Sequence, residues 1–315
     1  MASNSNEKTE QTSISKRIEK NRQNNGSLRF IEKMVPKLLL LASILSVLVT
    51  VGILYTLLSE AVTFFAEVNI FSFLSGTDWQ PWQGSFGVLG LVSGTLLITV
   101  IAMIVAIPVG VASAIFLSEY SSDKWRRILK PLLEVLAGIP TVVYGFFALT
   151  FVTPVLKSFI PDLSFFNALS AGIVVGVMII PMIASLTEDA MSAVPNEMRQ
   201  GALALGSTRL ETTLKVVLPA SLSGIVASFA LGISRAIGET MIVAIAAGAT
   251  PKFTMDPTQS IQTMTGYIVQ VAKGDAGFGS TIYYSIYAVG ATLFIFTLIM
   301  NLLAQYISRR YREEY

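Results

Sequence analysis

Within the apolar run 220–249 the sequence reads Ser234-Arg235-Ala-Ile-Gly238-Glu239-Thr240, two opposite charges four residues apart in otherwise uncharged surroundings. On a helix that spacing puts Arg235 and Glu239 on one face. An arginine at the centre of a membrane-spanning helix costs about 2.5–3.5 kcal/mol on insertion scales, so this side chain must face protein or a water-lined groove. Its planar guanidinium fork suits a tetrahedral oxyanion. A carboxylate beside it can accept a hydrogen bond from an anion that keeps a proton, and keeps the attraction weak enough for release. Gly232, Ser234 and Gly238 are small enough for close helix packing or for such a groove. Ser234 and Thr240, flanking the pair, complete the candidate pathway set. Arginine before glutamate is the weaker order for helix stabilisation, but a pair that merely neutralises itself would have the same spacing.

Other chemistries are absent from the sequence. There is no Cys and no His, which removes disulfides, thiolate nucleophiles and the commonest metal ligand and general base. No G-x-x-x-x-G-K-[S/T] occurs, so the chain has no phosphate-cradling loop of its own for ATP. Without clustered carboxylates, Arg235 and Glu239 make no recognisable catalytic set. No metal or cofactor is expected.

The elements that hold the pair must live in lipid. Hydrophobic residues are 53% of the 315 positions and charged residues 13%, against about 25% charged in soluble domains. Uncharged runs at 38–58, 88–117, 135–155, 168–186, 220–249 and 282–307 give six candidate spans. The second is long enough that it must tilt, protrude or break, with a bend expected at Pro108 and Gly110. Pro140, Thr141 and Tyr144 in the third read as a kink rather than a pathway lining. Of the 22 Lys and Arg, all but four lie in the N-terminal segment, in the second-to-third and fourth-to-fifth connections, or at the C-terminus. Lys157, Lys252 and Lys273 lie on the other side and Arg235 lies within a span, so both termini are expected in the cytoplasm. Trp79, Trp82, Phe71, Phe73 and Phe86 in the outward segment 59–87 suit the membrane–water interface. Glu119 and Glu134 are expected to pair with the local Lys/Arg cluster, and Glu188 and Asp189 to cap or salt-bridge near the loop that follows.

That loop runs from Val194 to Pro219. Pro195 ends what precedes, Asn196 is a candidate N-cap, and Gly206 suits the left-handed position that closes a short helix. Thr208-Arg-Leu-Glu211 is a capping box opening a second helix, and Pro219 stops it or begins the next span. This helix–glycine–helix spacing resembles the import permeases of ABC transporters, whose loop reads E-A-A, three residues, G, nine residues, I-x-L-P. Here Gln200-Gly201-Ala202 stands for the triplet, with Gln in place of Glu, followed by Gly206 and Val216-Val217-Leu218-Pro219. In that family the loop sits in a cleft of the ATPase subunit, a role the resemblance extends to Gln200, Gly201, Ala202, Gly206, Thr208, Glu211, Leu218 and Pro219.

Arg235-Ala-Ile-Gly-Glu-Thr-Met241 looks like the fifth-span signature of phosphate-importer permeases, and the Met241 continuation resembles the PstC type more than PstA. Phe73-Leu-Ser-Gly-Thr-Asp-Trp79, Leu117-Ser-Glu-Tyr120, the run Leu136–Phe147 and Glu188-Asp-Ala190 match in the expected order. The resemblance, over roughly residues 70–310, implies an all-α integral membrane protein with six transmembrane helices and the MetI-like importer permease fold. It implies a transport subunit, not an enzyme, forming the pathway of an ATP-driven inorganic phosphate importer in the cell membrane. The alternative is another oxyanion: phosphonate, molybdate or sulfate. The implied partners are a second homologous permease in a heterodimer, two copies of a cytoplasmic ATPase and an extracellular phosphate-binding protein, with no nucleic acid. The expected organisation is a disordered cytoplasmic tail over 1–34, a first transmembrane helix and external loop over 35–84, and a permease core over 85–310 with the coupling loop at 195–218.

Overall fold

In the computed structural model, residues 26–310 are described. Helix α1 (Gly26–Glu67) is long because nothing in it stops a helix except Pro36 near its start. It begins at Gly26, so the segment 1–34 read as a tail extends too far, and the rest of that reading lies outside the described residues. The chain forms two units, dividing after Thr56. In the first, the side chains from Glu32 to Val51 are all exposed although most are apolar, as suits a helix surrounded by lipid.

The second unit continues α1 from Leu57 and adds α2 (Ile70–Ser75) and a hairpin of β1 (Trp79–Gln80) with β2 (Ser85–Phe86), paired antiparallel. Helix α3 (Leu89–Ile115) follows, then α4 (Asp123–Ala137), α5 (Thr141–Phe147), α6 (Thr153–Phe159) and α7 (Ala168–Ser192). Next come α8 (Asn196–Ala204), α9 (Arg209–Thr212), α10 (Leu218–Ala220), α11 (Leu222–Ile237), α12 (Met241–Ala246), α13 (Met264–Gln270) and α14 (Thr281–Arg310).

Among the described residues, five helical stretches are long and apolar enough to cross a bilayer: Glu32–Glu67, Leu89–Tyr120, Thr141–Phe159, Ala168–Ser192 and Thr281–Ser308. A sixth exists if Arg209–Ala220 and Leu222–Ile237, bent by 70° at Ser221, count together. Two expectations change. The third crossing begins at Thr141, because Val135–Ala137 end the separate amphipathic helix α4. Helix α3 contains Pro108 and is followed by a π-helical segment over Phe116–Tyr120. The run 220–249 is not one helix: α11 ends at Ile237, α12 is a single short stretch, and the chain then leaves helix until Met264.

Small residues let α3 and α7 approach closely. A Cβ on Gly110 would sit 2.7 Å from the Ile183 side chain, and one on Gly176 would sit 2.7 Å from the Ala102 carbonyl. Around this contact Ile98, Ala102, Val175, Ile179, Tyr144 and Ile242 form the main core. The start of α7 is satisfied by the loop after α12, whose Pro257 and Gln259 carbonyls accept from Leu169 and Ala168 N–H at 2.8 and 3.2 Å.

A second core gathers aromatic side chains beside the hairpin. Phe64, Phe73, Trp79, Phe86 and Tyr267 meet edge to face, with Trp79 and Tyr267 ring centres 4.8 Å apart. Phe73, Trp79 and Phe86 are therefore buried packing residues, not interfacial anchors; Trp82 and Phe71 do stay exposed. Composition could not separate these roles, since a large apolar ring serves either.

Candidate functional site

Helix α11 ends at Gly238, which caps it in a right-handed conformation, its N–H donating to the Ser234 carbonyl at 3.2 Å. Glu239 then restarts the backbone. Its Oε1 accepts from the Met241 and Ile242 N–H groups at 3.1 and 3.3 Å, so the carboxylate caps α12 and answers its helix dipole. The Glu239 carbonyl accepts from Thr265 Oγ1 at 2.7 Å, tying the break to α13. The other oxygen, Oε2, stands 4.0 Å from Arg235 Nη2; the arginine side chain is 48% exposed and the glutamate 3%.

The four pathway candidates thus divide. Arg235 and Ser234 line a cavity of about 640 Å³ between α4, α7 and α11. Ser234 also donates to Asn301 Oδ1 of α14 at 2.7 Å. Glu239 is buried behind Arg235, and the Thr240 hydroxyl donates to the Gly238 carbonyl at 3.1 Å within the break. The carboxylate expected to accept a hydrogen bond from a protonated ligand has its Oε1 committed to backbone N–H groups. Gly232 packs α11 against α7 and α3: a Cβ there would meet Ile183, Ile179 and Met103 at 3.1–3.3 Å.

Three charges in the cavity wall were not anticipated as site residues. Lys130 of α4 and Glu188 of α7 both line it, with Glu134. Glu188 is fully buried and ion-paired to Arg126 and, at 2.7 Å, to Lys130, whose ammonium also reaches Asp189 Oδ1 at 2.8 Å. Hydrogen bonds to Asp189 and then Glu188 raise the Lys130 ammonium above its ordinary value of 10.5. The sequence held one clue: Lys130 and Glu134, four apart on a strongly amphipathic stretch, share a helix face. The bond between α4 and α7 is 58 residues long in sequence, and no local pattern announces it.

The loop elbow forms as read. Gly206 has φ +90°, in the region where only glycine is unstrained. Thr208 Oγ1 accepts from Glu211 N–H at 3.3 Å, and Glu211 Oε2 accepts from Thr208 N–H at 3.0 Å, completing the capping box. One detail differs: Pro195 holds the cap position and Asn196 is already in α8. Proline's fixed φ suits that entry. Pro219 lies in α10, two residues before the 70° bend at Ser221. Gln200 and Gly201 are exposed, Ala202 and Leu218 half-buried, and Leu205 at the tip is 89% exposed. Arg199 braces the elbow from behind: Nη2 meets Glu119 Oε1 at 3.1 Å and donates to the Met191 carbonyl at 2.7 Å, and Nη1 donates to Val194. Glu119 therefore pairs with the loop and not with the Lys124–Lys130 cluster.

The described residues combine apolar helices long enough to cross a membrane, a helix interrupted at its own charge pair, and an exposed helical elbow. The family model for the binding-protein-dependent transport system inner membrane component matches residues 106–313. The chain belongs to that family. It is a transport subunit, not an enzyme, and membership implies an ATPase and a substrate-binding protein as partners. Among relatives, it is 34% identical over 245 residues to the probable ABC transporter permease protein YqgH of Bacillus subtilis, covering 77% of this chain and 79% of that one. It is 32% identical over 255 residues to the phosphate transport system permease protein PstC of Xylella fastidiosa, covering 74% and 77%. A chain of a bacterial ABC transporter that imports the acidic polysaccharide alginate superposes with TM-score 0.62 at 15% identity, over 90% of this chain and 99% of that one. A chain of the inward-facing MetNI methionine transporter gives 0.54 at 18%, over 75% and 100%. These two share the fold.

Proposed function

We propose that this chain is the PstC-type permease subunit of an ATP-driven importer of inorganic phosphate. The observation that carries the reading is Arg235: half-exposed on a cavity wall at a helix break, with its charge tempered by a buried carboxylate. Relatives bearing the name phosphate transport system permease protein favour phosphate over other oxyanions. In this reading the guanidinium fork receives the anion, and Glu239 limits how tightly it is held. The Ser234 hydroxyl, anchored by Asn301, lines the same wall. The elbow at Gly206 docks in an ATPase subunit, with Leu205 at its tip entering the cleft, and Gln200, Gly201, Ala202, Thr208, Glu211, Leu218 and Pro219 shape it.

The assembly this requires is a heterodimer with a second permease, two cytoplasmic ATPase copies and an external phosphate-binding protein. Both termini are cytoplasmic, as the Lys/Arg distribution favours. The test is radiolabelled phosphate uptake from scarce medium in a deletion strain complemented with wild type or Arg235→Gln, with arsenate, sulfate and molybdate as competitors. The expected result is uptake restored by wild type, competed by arsenate alone, and lost in a variant still present in the membrane. Uptake independent of the chain, or competed equally by sulfate, overturns the reading.

A further inference from the structure

We propose that Lys130 is a second cationic station of the anion pathway, between Arg235 and the coupling-loop end of the bundle. This inference rests on the phosphate reading above. Lys130 and Arg235 line one cavity of about 640 Å³, which has room for a hydrated tetrahedral anion. Each has a buried carboxylate behind it: Arg235 is 48% exposed against 3% for Glu239, and Lys130 is 31% against 0% for Glu188, while the second acid at Lys130, Asp189, is 58% exposed. The buried acid tempers each cation from behind and leaves it at the cavity wall. An ammonium has three N–H donors. Those of Lys130 reach Glu188 Oε2 and Asp189 Oδ1, which leaves one for a passing anion. Glu134, four residues on in the same wall, repels that anion and favours its departure. Glu188 lies at the end of α7, just before the loop that contains the elbow, so an anion at Lys130 has passed Arg235 and is near its exit.

The test uses the whole transporter, with its second permease, ATPase and binding protein, in proteoliposomes loaded with graded internal phosphate. Phosphate inside should slow uptake by occupying the exit station. Lys130→Gln removes one charge-assisted contact and should raise the half-inhibitory internal phosphate about tenfold. Asp189→Asn uncovers the ammonium and should lower it. Lys124→Gln, an exposed lysine of the same helix away from the cavity lining, should match wild type. If Lys130 were only a brace, both substitutions would break the same contact and shift inhibition in the same direction; that result, or indifference to internal phosphate, overturns the proposal. A wild-type transporter that imports no phosphate at all overturns the phosphate reading, and the station with it.

Discussion

Arg235 and Glu239 face each other across a helix break, 4.0 Å between nearest charged atoms, the arginine half-exposed and the glutamate buried. The glutamate has two duties, since its other oxygen caps α12. Substitutions separate them. Glu239→Gln keeps an acceptor for the Met241 and Ile242 N–H groups and loses only the charge. The variant should reach the membrane at wild-type level and take up phosphate severalfold more slowly, because Arg235 then holds its ligand too long. Glu239→Ala also loses the cap, worth about 1 kcal/mol, and should be less abundant. Membrane immunoblots beside initial uptake rates check both, and an E239Q transporter as fast as wild type would show that tempering Arg235 is unnecessary.

Asp256 organises the loop between α12 and α13. Its carboxylate accepts from the Thr258 hydroxyl at 2.6 Å, from Thr258 N–H at 2.9 Å and from Gln259 Nε2 at 2.7 Å. These bonds, those from Thr258 foremost, hold its carboxyl below the ordinary 3.8. A lowered folded pKa gives stabilisation that is full above the unfolded value and lost as pH falls through the folded one. Protease resistance of this loop should therefore be flat from neutral pH down to about 4 and fall only below that. Asp256→Asn should lower resistance at neutral pH and flatten the acid dependence.

The sequence carried what is local. Gly206, Thr208 and Glu211 lie within six positions, and their turn and capping chemistry is decided by neighbours, so the elbow could be read directly. Arg235 and Glu239 announced themselves as charges in an apolar run. What hydrophobicity could not reveal was the break between them, since Met241–Ala246 is as apolar as any span and only Gly238 hinted at a stop. Glu188 was harder still: its partners Arg126 and Lys130 lie about sixty residues earlier, and that pairing depends on how α4 lies against α7. Trp79 and Phe73 were misread because burial of an aromatic ring is a tertiary fact.

Arg199 joins three things behind the elbow: the Glu119 carboxylate and the carbonyls of Met191 and Val194. A guanidinium can serve all three at once; a single ammonium cannot span them. Arg199→Lys should preserve insertion in the membrane yet loosen the elbow. Co-purification of the ATPase subunit should fall severalfold, with a parallel loss of uptake. Retention of full ATPase binding would mean that the brace is dispensable for docking.

Glu188 is the charge whose loss should cost most. Its carboxylate is fully buried between Arg126 and Lys130, which are themselves 37% and 31% exposed. Removing one partner of a buried ion pair costs about 3–5 kcal/mol when the other is left buried. Here the orphaned cations can reach water, so the cost of Glu188→Gln should lie below that range. The raised pKa of Lys130 gives this cluster a stabilisation that is complete below the ordinary lysine value of 10.5 and is lost only as pH rises through the higher folded value. The thermal unfolding temperature in detergent should therefore drop for Glu188→Gln by a similar amount at pH 6 and pH 8. A drop present at only one of these pH values would mean that a group other than Lys130 or Arg126 titrates against Glu188.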